Sequence, residues 1–329
     1  MTGIMMVQLE QRPMVNGKEG IKMYGERAMN AILSEYVQID DMKTFKPLDI
    51  NKLTHDEKKK ALNLLTMVKE KRDGRIKGRA VADGRKQRLY IKKEDVASPT
   101  VKLESLILSL LIDAHEDRDV ATADVVGAYL IADMEDHVIV KLTGESVDIM
   151  CKANVKYTPF VGYEKGRKVL YMKLLKALYG CMQSALLWYK TFKLCLEEDG
   201  FKLNKCDPCV ANKVVDGKQY TVAWYVDDHK ISYVDSKVVD SVIDMIESKF
   251  GTMTKRRGKN HVFVGMDIEF MGEGKVKILM KEYLEESIVA FGEDLGKKAN
   301  TGDLDADKSE KFHHIVSKLL FVSKGLGWI

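Results

Sequence analysis

Residues 221–234 read TVAWYVDDHKISYV, two apolar runs rich in β-branched and aromatic residues, Thr221–Trp224 and Ile231–Val234, that meet around Asp227-Asp228. Such runs favour strands, so the acidic pair is expected in a short turn between them. Asp is a favoured turn residue, and an ordinary Asp-rich turn accounts for the pair equally well on composition. Adjacent carboxylates repel each other, however, and a divalent cation with hard oxygen ligands removes that cost. Working back along the chain, Arg118–Asp124 also reads as a strand. It ends at Asp124 and continues as Val125-Val126-Gly127-Ala128-Tyr129-Leu130. If that strand neighbours the acidic turn, three carboxylates gather at adjacent strand ends, enough to hold two metal ions about 3.5–4 Å apart.

Upstream lies the strongest charge feature. Between Lys69 and Lys93 there are eleven Lys or Arg against Glu70, Asp73 and Asp83, a net of +8 in a chain whose total is only +4. On charge alone this is as readily a solvated loop as a surface that faces phosphates. Alternation of basic residues with Ala80, Val81 and Ala82 points to a strand pair. A basic hairpin held over a cleft suits a triphosphate or a nucleic-acid backbone.

The rest of the chain interleaves helices and strands. Apolar spacing predicts helices over 20–37 and 54–71, the second opening on a Thr54…Glu57 capping box. Ser98-Pro99 opens a helix reaching about His115. Strands are expected at 137–142, 169–173, 209–215, 219–226 and 229–234, with Asp216-Gly217 as a hairpin turn. Long helices are expected at 176–199 and 236–250, strands near 262–270 and 275–280, helical segments near 281–291 and 309–324, and a polar linker over 292–309. With several neighbouring strands in hairpins, the class is α+β with an antiparallel sheet.

The ordered motifs resemble a known family. They are Lys77-Gly78-Arg79 with Ala82-Asp83-Gly84-Arg85-Lys86-Gln87, then Ala123-Asp124-Val125-Val126-Gly127-Ala128-Tyr129-Leu130. Lys176-Ala177-Leu178-Tyr179-Gly180-Cys181-Met182-Gln183-Ser184 with Trp188 follows, then Cys206-Asp207-Pro208-Cys209-Val210, Tyr225-Val226-Asp227-Asp228, Val264-Gly265-Met266 and the run from His313 to Lys324. From about Gly20 to Lys324 the chain resembles the reverse transcriptase of copia-type LTR retrotransposons. The resemblance implies a right-hand polymerase fold, with fingers, a palm built on an antiparallel sheet and a partial thumb. The implied divisions are a tail over 1–19, helices and fingers over 20–117, palm with fingers elements over 118–251, and palm end with truncated thumb or connection over 252–329, with the RNase H domain absent.

By the same resemblance Asp124, Asp227 and Asp228 are the catalytic carboxylates. Together with the Val125 carbonyl they would bind two Mg2+ ions, with Mn2+ as an alternative. Lys77, Arg79, Arg85, Tyr129 and Gly180 would contact the dNTP, Tyr129 as a steric gate against a ribose 2′-hydroxyl. Gln183 and Tyr225 would meet the template and primer. The implied partners are dNTPs, a primed RNA or DNA template and other polyprotein parts. The chain departs from the family at Ala185, where Pro is usual, at His229, which is read as a surface turn residue, and after Lys324. The last departure makes a catalytically inactive relic that still binds nucleic acid the alternative. The compartment implied is a cytoplasmic particle or the nucleus.

Composition narrows the class without naming a function. A chain of 329 residues, 45% hydrophobic and 31% charged with only 5 Pro, is neither disordered nor collagen-like. Its 5 Cys lack a disulfide-framework spacing, which fits a reducing compartment. Met1–Pro13 lacks a signal pattern, and no apolar run approaches the roughly 18 residues of a membrane span, so no membrane partner is expected. Cys206 and Cys209, a single C-x-x-C, make a poor zinc site without a second pair. His313-His314 could suggest a metal, but adjacent residues on the expected helix would point apart. No Walker or Rossmann glycine pattern and no Ser-His-Asp arrangement stands out. A palm-fold nucleotidyl cyclase shares paired carboxylates but leaves the basic hairpin and the Lys176–Trp188 segment without a role.

Overall fold

The computed structural model describes residues 14–280 except 72, together with 309, 313, 316 and 317. Its helices are α1 (Gly17–Tyr24), α2 (Glu26–Asp41), α3 (His55–Lys60), α4 (Leu103–His115), α5 (Glu145–Ala153), α6 (Ser184–Glu198) and α7 (Ser236–Phe250). The first strands are β1 (Val15–Asn16), β2 (Phe45–Leu48), β3 (Leu62–Glu70), β4 (Ile76–Ala82), β5 (Asp119–Val125), β6 (Ile139–Thr143), β7 (Gly162–Glu164) and β8 (Arg167–Leu174). They are followed by β9 (Lys202–Leu203), β10 (Val210–Val215), β11 (Lys218–Tyr225), β12 (Asp228–Tyr233), β13 (Met253–Arg257), β14 (Asn260–Phe263), β15 (Met266–Gly272) and β16 (Lys275–Leu279).

The chain divides into two compact units: Met1–Ser98 with Gly127–Phe192, and Pro99–Val126 with Lys193–Ile329. The first carries a seven-stranded sheet ordered β1-β3-β6-β8-β2, with β4 on β3 and β7 on β8. Every pairing in it is antiparallel except β3 with β6. Its core gathers Ile32, Tyr36 and Ile39 of α2, Leu62, Leu64 and Val68 of β3, and Leu170, Met172 and Leu174 of β8. The class is mixed α and β, as the hairpin-rich pattern suggests.

The second unit is organised by a six-stranded sheet, β13-β5-β12-β11-β10-β9, antiparallel throughout. Both faces of its centre are covered. Tyr220 on β11 donates its hydroxyl to the carbonyl of Val238, 3.1 Å away on α7. On the opposite face, Lys230 of β12 reaches Ser109 Oγ on α4 at 2.9 Å. Two-sided burial explains why Tyr220–Trp224 of β11 and His229–Tyr233 of β12 are buried residue after residue, with no alternation. A separate three-stranded sheet, β14-β15-β16, follows.

Several expectations shift. The 20–37 helix is two helices broken at Gly25, whose φ of +55° leaves the helical region. The capping box holds, but α3 stops at Lys60 and the rest of the expected 54–71 helix is β3. Alternate burial of Leu62, Leu64, Thr66 and Val68 and the pairing of β3 with β4 outweigh the helical spacing. The 98–115 helix begins at Leu103. The 176–199 helix begins at Ser184, because Gly180 at φ +91° cannot continue a right-handed helix. The 262–270 strand is two strands folded at Val264-Gly265, both at positive φ. The strand β13 was not anticipated. The segments 281–291 and 292–309, and most of 309–324, lie outside the described residues. No helix among the described residues is long and apolar enough to cross a membrane.

Candidate active site

Asp228 and Asp124 are direct partners across the β12–β5 ladder. Directly opposed residues in an antiparallel pair project to one face with Cβ atoms about 5 Å apart. Tyr225 and Asp228 close the β11–β12 hairpin as partners, which leaves Val226 and Asp227 as its two-residue turn. Val226 sits at φ +57°, an uncommon conformation for a β-branched residue and therefore a strained one. The Asp227 carbonyl accepts the Val125 N–H at 3.3 Å, which ties the turn to the end of β5. Tyr225 lies at the strand end and is 37% exposed.

The electrostatics follow from this placement. Burial pushes the Asp228 carboxyl up to about 6, with further upward pushes from Asp227 and Asp124. His229, expected at the surface, is fully buried. Burial holds its imidazole down to about 3, so it is neutral. Among the described residues no group of three or more His, Cys, Asp or Glu is gathered as around a metal. What the site provides is a facing carboxylate pair with a third carboxylate beside it. Oxygen donors that repel one another suit a hard divalent cation.

The basic expectations fall on the first unit. The basic segment supplies one arm of a hairpin, β4; its other arm is β3, where a helix was expected, and the two run in register from Leu64↔Ala82 to Glu70↔Ile76. Arg79 places its guanidinium 5.3 Å from the centre of the Tyr179 ring, and Tyr179 packs 4.5 Å from the Tyr129 ring. Arg79 and Tyr129, distant in sequence, are thus joined through Tyr179, which has no assigned role in the sequence reading. Tyr129 is half-buried and also packs against the core of this unit. Lys77 is exposed on the same strand. Arg85 turns to Asp83, donating to it from Nε and Nη2 at 2.7 Å each.

Gly180 and Gln183 prove to be built into the unit. A Cβ on Gly180 would lie 2.0 Å from the Ala82 carbonyl oxygen, so the close backbone approach that requires glycine is to β4. Ala82 N–H in turn donates to the Tyr179 carbonyl at 2.7 Å. Gln183 is buried, 5% exposed. Its Oε1 accepts from Gln87 Nε2 and its Nε2 donates to Asp136 Oδ2, each at 2.8 Å. Gln87, wholly buried, also accepts the Met182 N–H at 2.9 Å. Both ends of the Gln183 amide are thus engaged inside the unit, which braces this segment. Gln87 and Asp136 are hydrogen-bond partners of Gln183 that the sequence does not announce. A buried Gln inside a run of Arg and Lys is the signal that could have marked the first.

Gly180→Ala is expected to cost about 3 kcal/mol or more, by adding a backbone clash to positive-φ strain. Gly74→Ala, at φ +76° with nothing within 4 Å of the new Cβ, is expected to cost only about 1 kcal/mol. Urea denaturation of the two variants beside the wild type checks the difference.

A model of the family described as reverse transcriptase (RNA-dependent DNA polymerase) matches residues 45–299. The chain belongs to this family. It is 25% identical over 281 residues to the retrovirus-related Pol polyprotein from transposon TNT 1-94 of Nicotiana tabacum, a match covering 83% of the chain and 19% of that protein. It is 22% identical over 330 aligned positions to the transposon Ty1-NL2 Gag-Pol polyprotein of Saccharomyces cerevisiae, covering 92% of the chain and 17% of that protein. The chain thus spans less than a fifth of the length of these curated relatives. The similarities agree with the retrotransposon reverse transcriptase domain read from the motifs.

Proposed function

We propose that this chain is an RNA-directed DNA polymerase that extends a primer 3′-hydroxyl with dNTPs on an RNA or DNA template, as part of a retrotransposon polyprotein. The observation that carries the reading is the direct pairing of Asp124 with Asp228, with Asp227 in the adjoining turn. In this reading the six-stranded sheet is the palm, and the β3–β4 hairpin belongs to the fingers.

Asp124, Asp227 and Asp228, with the Val125 carbonyl, would hold two Mg2+ ions, for which Mn2+ can substitute. When bound, such ions neutralise phosphate charge and favour deprotonation of the attacking hydroxyl. The protein's own part is placement. The β5–β12 register fixes which face Asp124 and Asp228 share, and the Val125–Asp227 hydrogen bond anchors the turn. Lys77 and Arg79 draw in the triphosphate by charge. Tyr129, wedged against Tyr179, resists displacement by a 2′-hydroxyl.

Primer extension on a primed RNA template tests this. Incorporation of dNTPs, abolished by a chelator and restored by Mg2+, is the expected result. Salt-sensitive binding of primer–template with no incorporation would instead make the chain a nucleic-acid-binding relic. Tyr129→Val is expected to raise ribonucleotide use relative to dNTP by about 10²-fold, read as the ratio of the two kcat/KM values.

A further inference from the structure

Among the described residues β4 pairs with β3 along one edge, and N–H groups on its other edge point away from that strand. Two of them have partners. Ala82 N–H donates to the Tyr179 carbonyl at 2.7 Å, and Ala80 N–H donates to Glu35 Oε1 of α2 at 3.1 Å. α2 presses on this edge so closely that a Cβ at Gly78 would come 2.6 Å from the Ala31 carbonyl oxygen. One acidic side chain therefore clamps the middle of β4 at the residue after Arg79. It does so within the electrostatic reach of both Lys77 and Arg79.

Capping a strand edge requires an acceptor but not a charge. A neutral amide oxygen would serve, whereas a half-buried carboxylate carries a desolvation cost. Burial is indeed the largest influence on Glu35 and raises its carboxyl above the ordinary value, while Ala80, Arg79 and Lys77 pull it down. The sequence thus places the costlier acceptor beside the two cations assigned to the triphosphate.

We propose that Glu35 is a positioning residue for triphosphate binding: its hydrogen bond to Ala80 sets the direction in which Arg79 leaves the strand, and its charge is the resident anion that an incoming triphosphate must outcompete. This rests on the reading of Lys77 and Arg79 as triphosphate ligands. The two functions separate by substitution. Glu35→Gln keeps an acceptor and removes the charge; Glu35→Ala removes both.

The test is equilibrium binding of inorganic tripolyphosphate to the full chain by calorimetry, with the KM for dNTP as a second readout. Glu35→Gln is expected to tighten tripolyphosphate binding about threefold at low salt, the gain shrinking as salt is raised. Glu35→Ala is expected to bind more weakly than Glu35→Gln, because Arg79 loses its fixed direction. Glu35→Gln binding as the wild type does, with Glu35→Ala altered only in thermal stability, would reduce Glu35 to an edge cap and overturn the proposal. Lys77→Ala and Arg79→Ala are run alongside. If neither weakens tripolyphosphate binding, the triphosphate assignment itself is wrong, and the role of Glu35 falls with it by a recognisably different signature.

Discussion

Asp228→Asn is expected to abolish templated nucleotide incorporation, by about 10³-fold or more, while making the folded chain more stable at neutral pH. The two effects have one cause. Burial, Asp227 and Asp124 push the Asp228 carboxyl from 3.8 up to about 6. An acid whose pKa is raised by folding keeps its proton in the native state after the unfolded chain has lost it. Stability therefore falls as pH rises from about 4 to about 6, and the full penalty persists above that window. Asparagine carries no such penalty. With solvent screening of a partly exposed group, the gain at pH 7.5 is about 1–2 kcal/mol. Thermal melts in chelator should show it at pH 7.5 and show little at pH 3.5. Activity unchanged by the substitution would remove Asp228 from the catalytic set. Activity lost together with stability at pH 7.5 would make it a structural residue.

Lys230→Met carries the largest stability effect, a loss of about 3–5 kcal/mol. Lys230 has no exposed surface, although it follows Asp228 by only two residues. It forms an ion pair with Asp113 of α4, which is equally buried, and hydrogen bonds with Ser109 Oγ at 2.9 Å and Ser232 Oγ at 3.0 Å. Arg118 Nη1 stands 3.8 Å from Asp113 Oδ1, and its Nη2 meets Glu116 at 2.8 Å. Removing the lysine leaves a buried carboxylate facing a more distant cation. Adding Asp113→Asn removes that uncompensated charge, so the double variant should recover a large part of the loss. Urea unfolding of both single variants and the double should give a coupling of about 2 kcal/mol. Additive losses would show that the pair contributes nothing beyond packing.

Legibility in the sequence followed how local the cause was. The Asp216-Gly217 hairpin, the Thr54…Glu57 cap and the end of α7 at Gly251 are set by neighbouring residues and were read correctly. The 62–70 segment was misread because its partner, β4, lies beyond a turn, and spacing alone does not separate a short strand from a helix. The 176–183 segment was read as helix because its apolar residues suit one. The approach of Gly180 to Ala82 that unwinds it is a contact across nearly a hundred positions. The meeting of Asp124 with the Asp227-Asp228 bend was legible because strand-ending acids stand out against apolar runs. Gln87, Asp136, Tyr179, Glu35 and the Lys230–Asp113 pair were not, since their importance lies wholly in which partner they meet.

β5 is hydrogen-bonded on both edges, to β12 and to β13, and both pairings run through Asp124. A strand fixed on two sides cannot absorb an added residue by sliding. One insertion between 119 and 124 would turn Asp124 to the opposite face and spoil two ladders at once. The Asp216-Gly217 tip between β10 and β11 has no such constraint, and nothing lies within 4 Å of a Cβ built on Gly217. A peptide tag or fluorophore-carrying loop is best inserted there, while length changes upstream of Asp124 should be lethal to activity even where every side chain is retained.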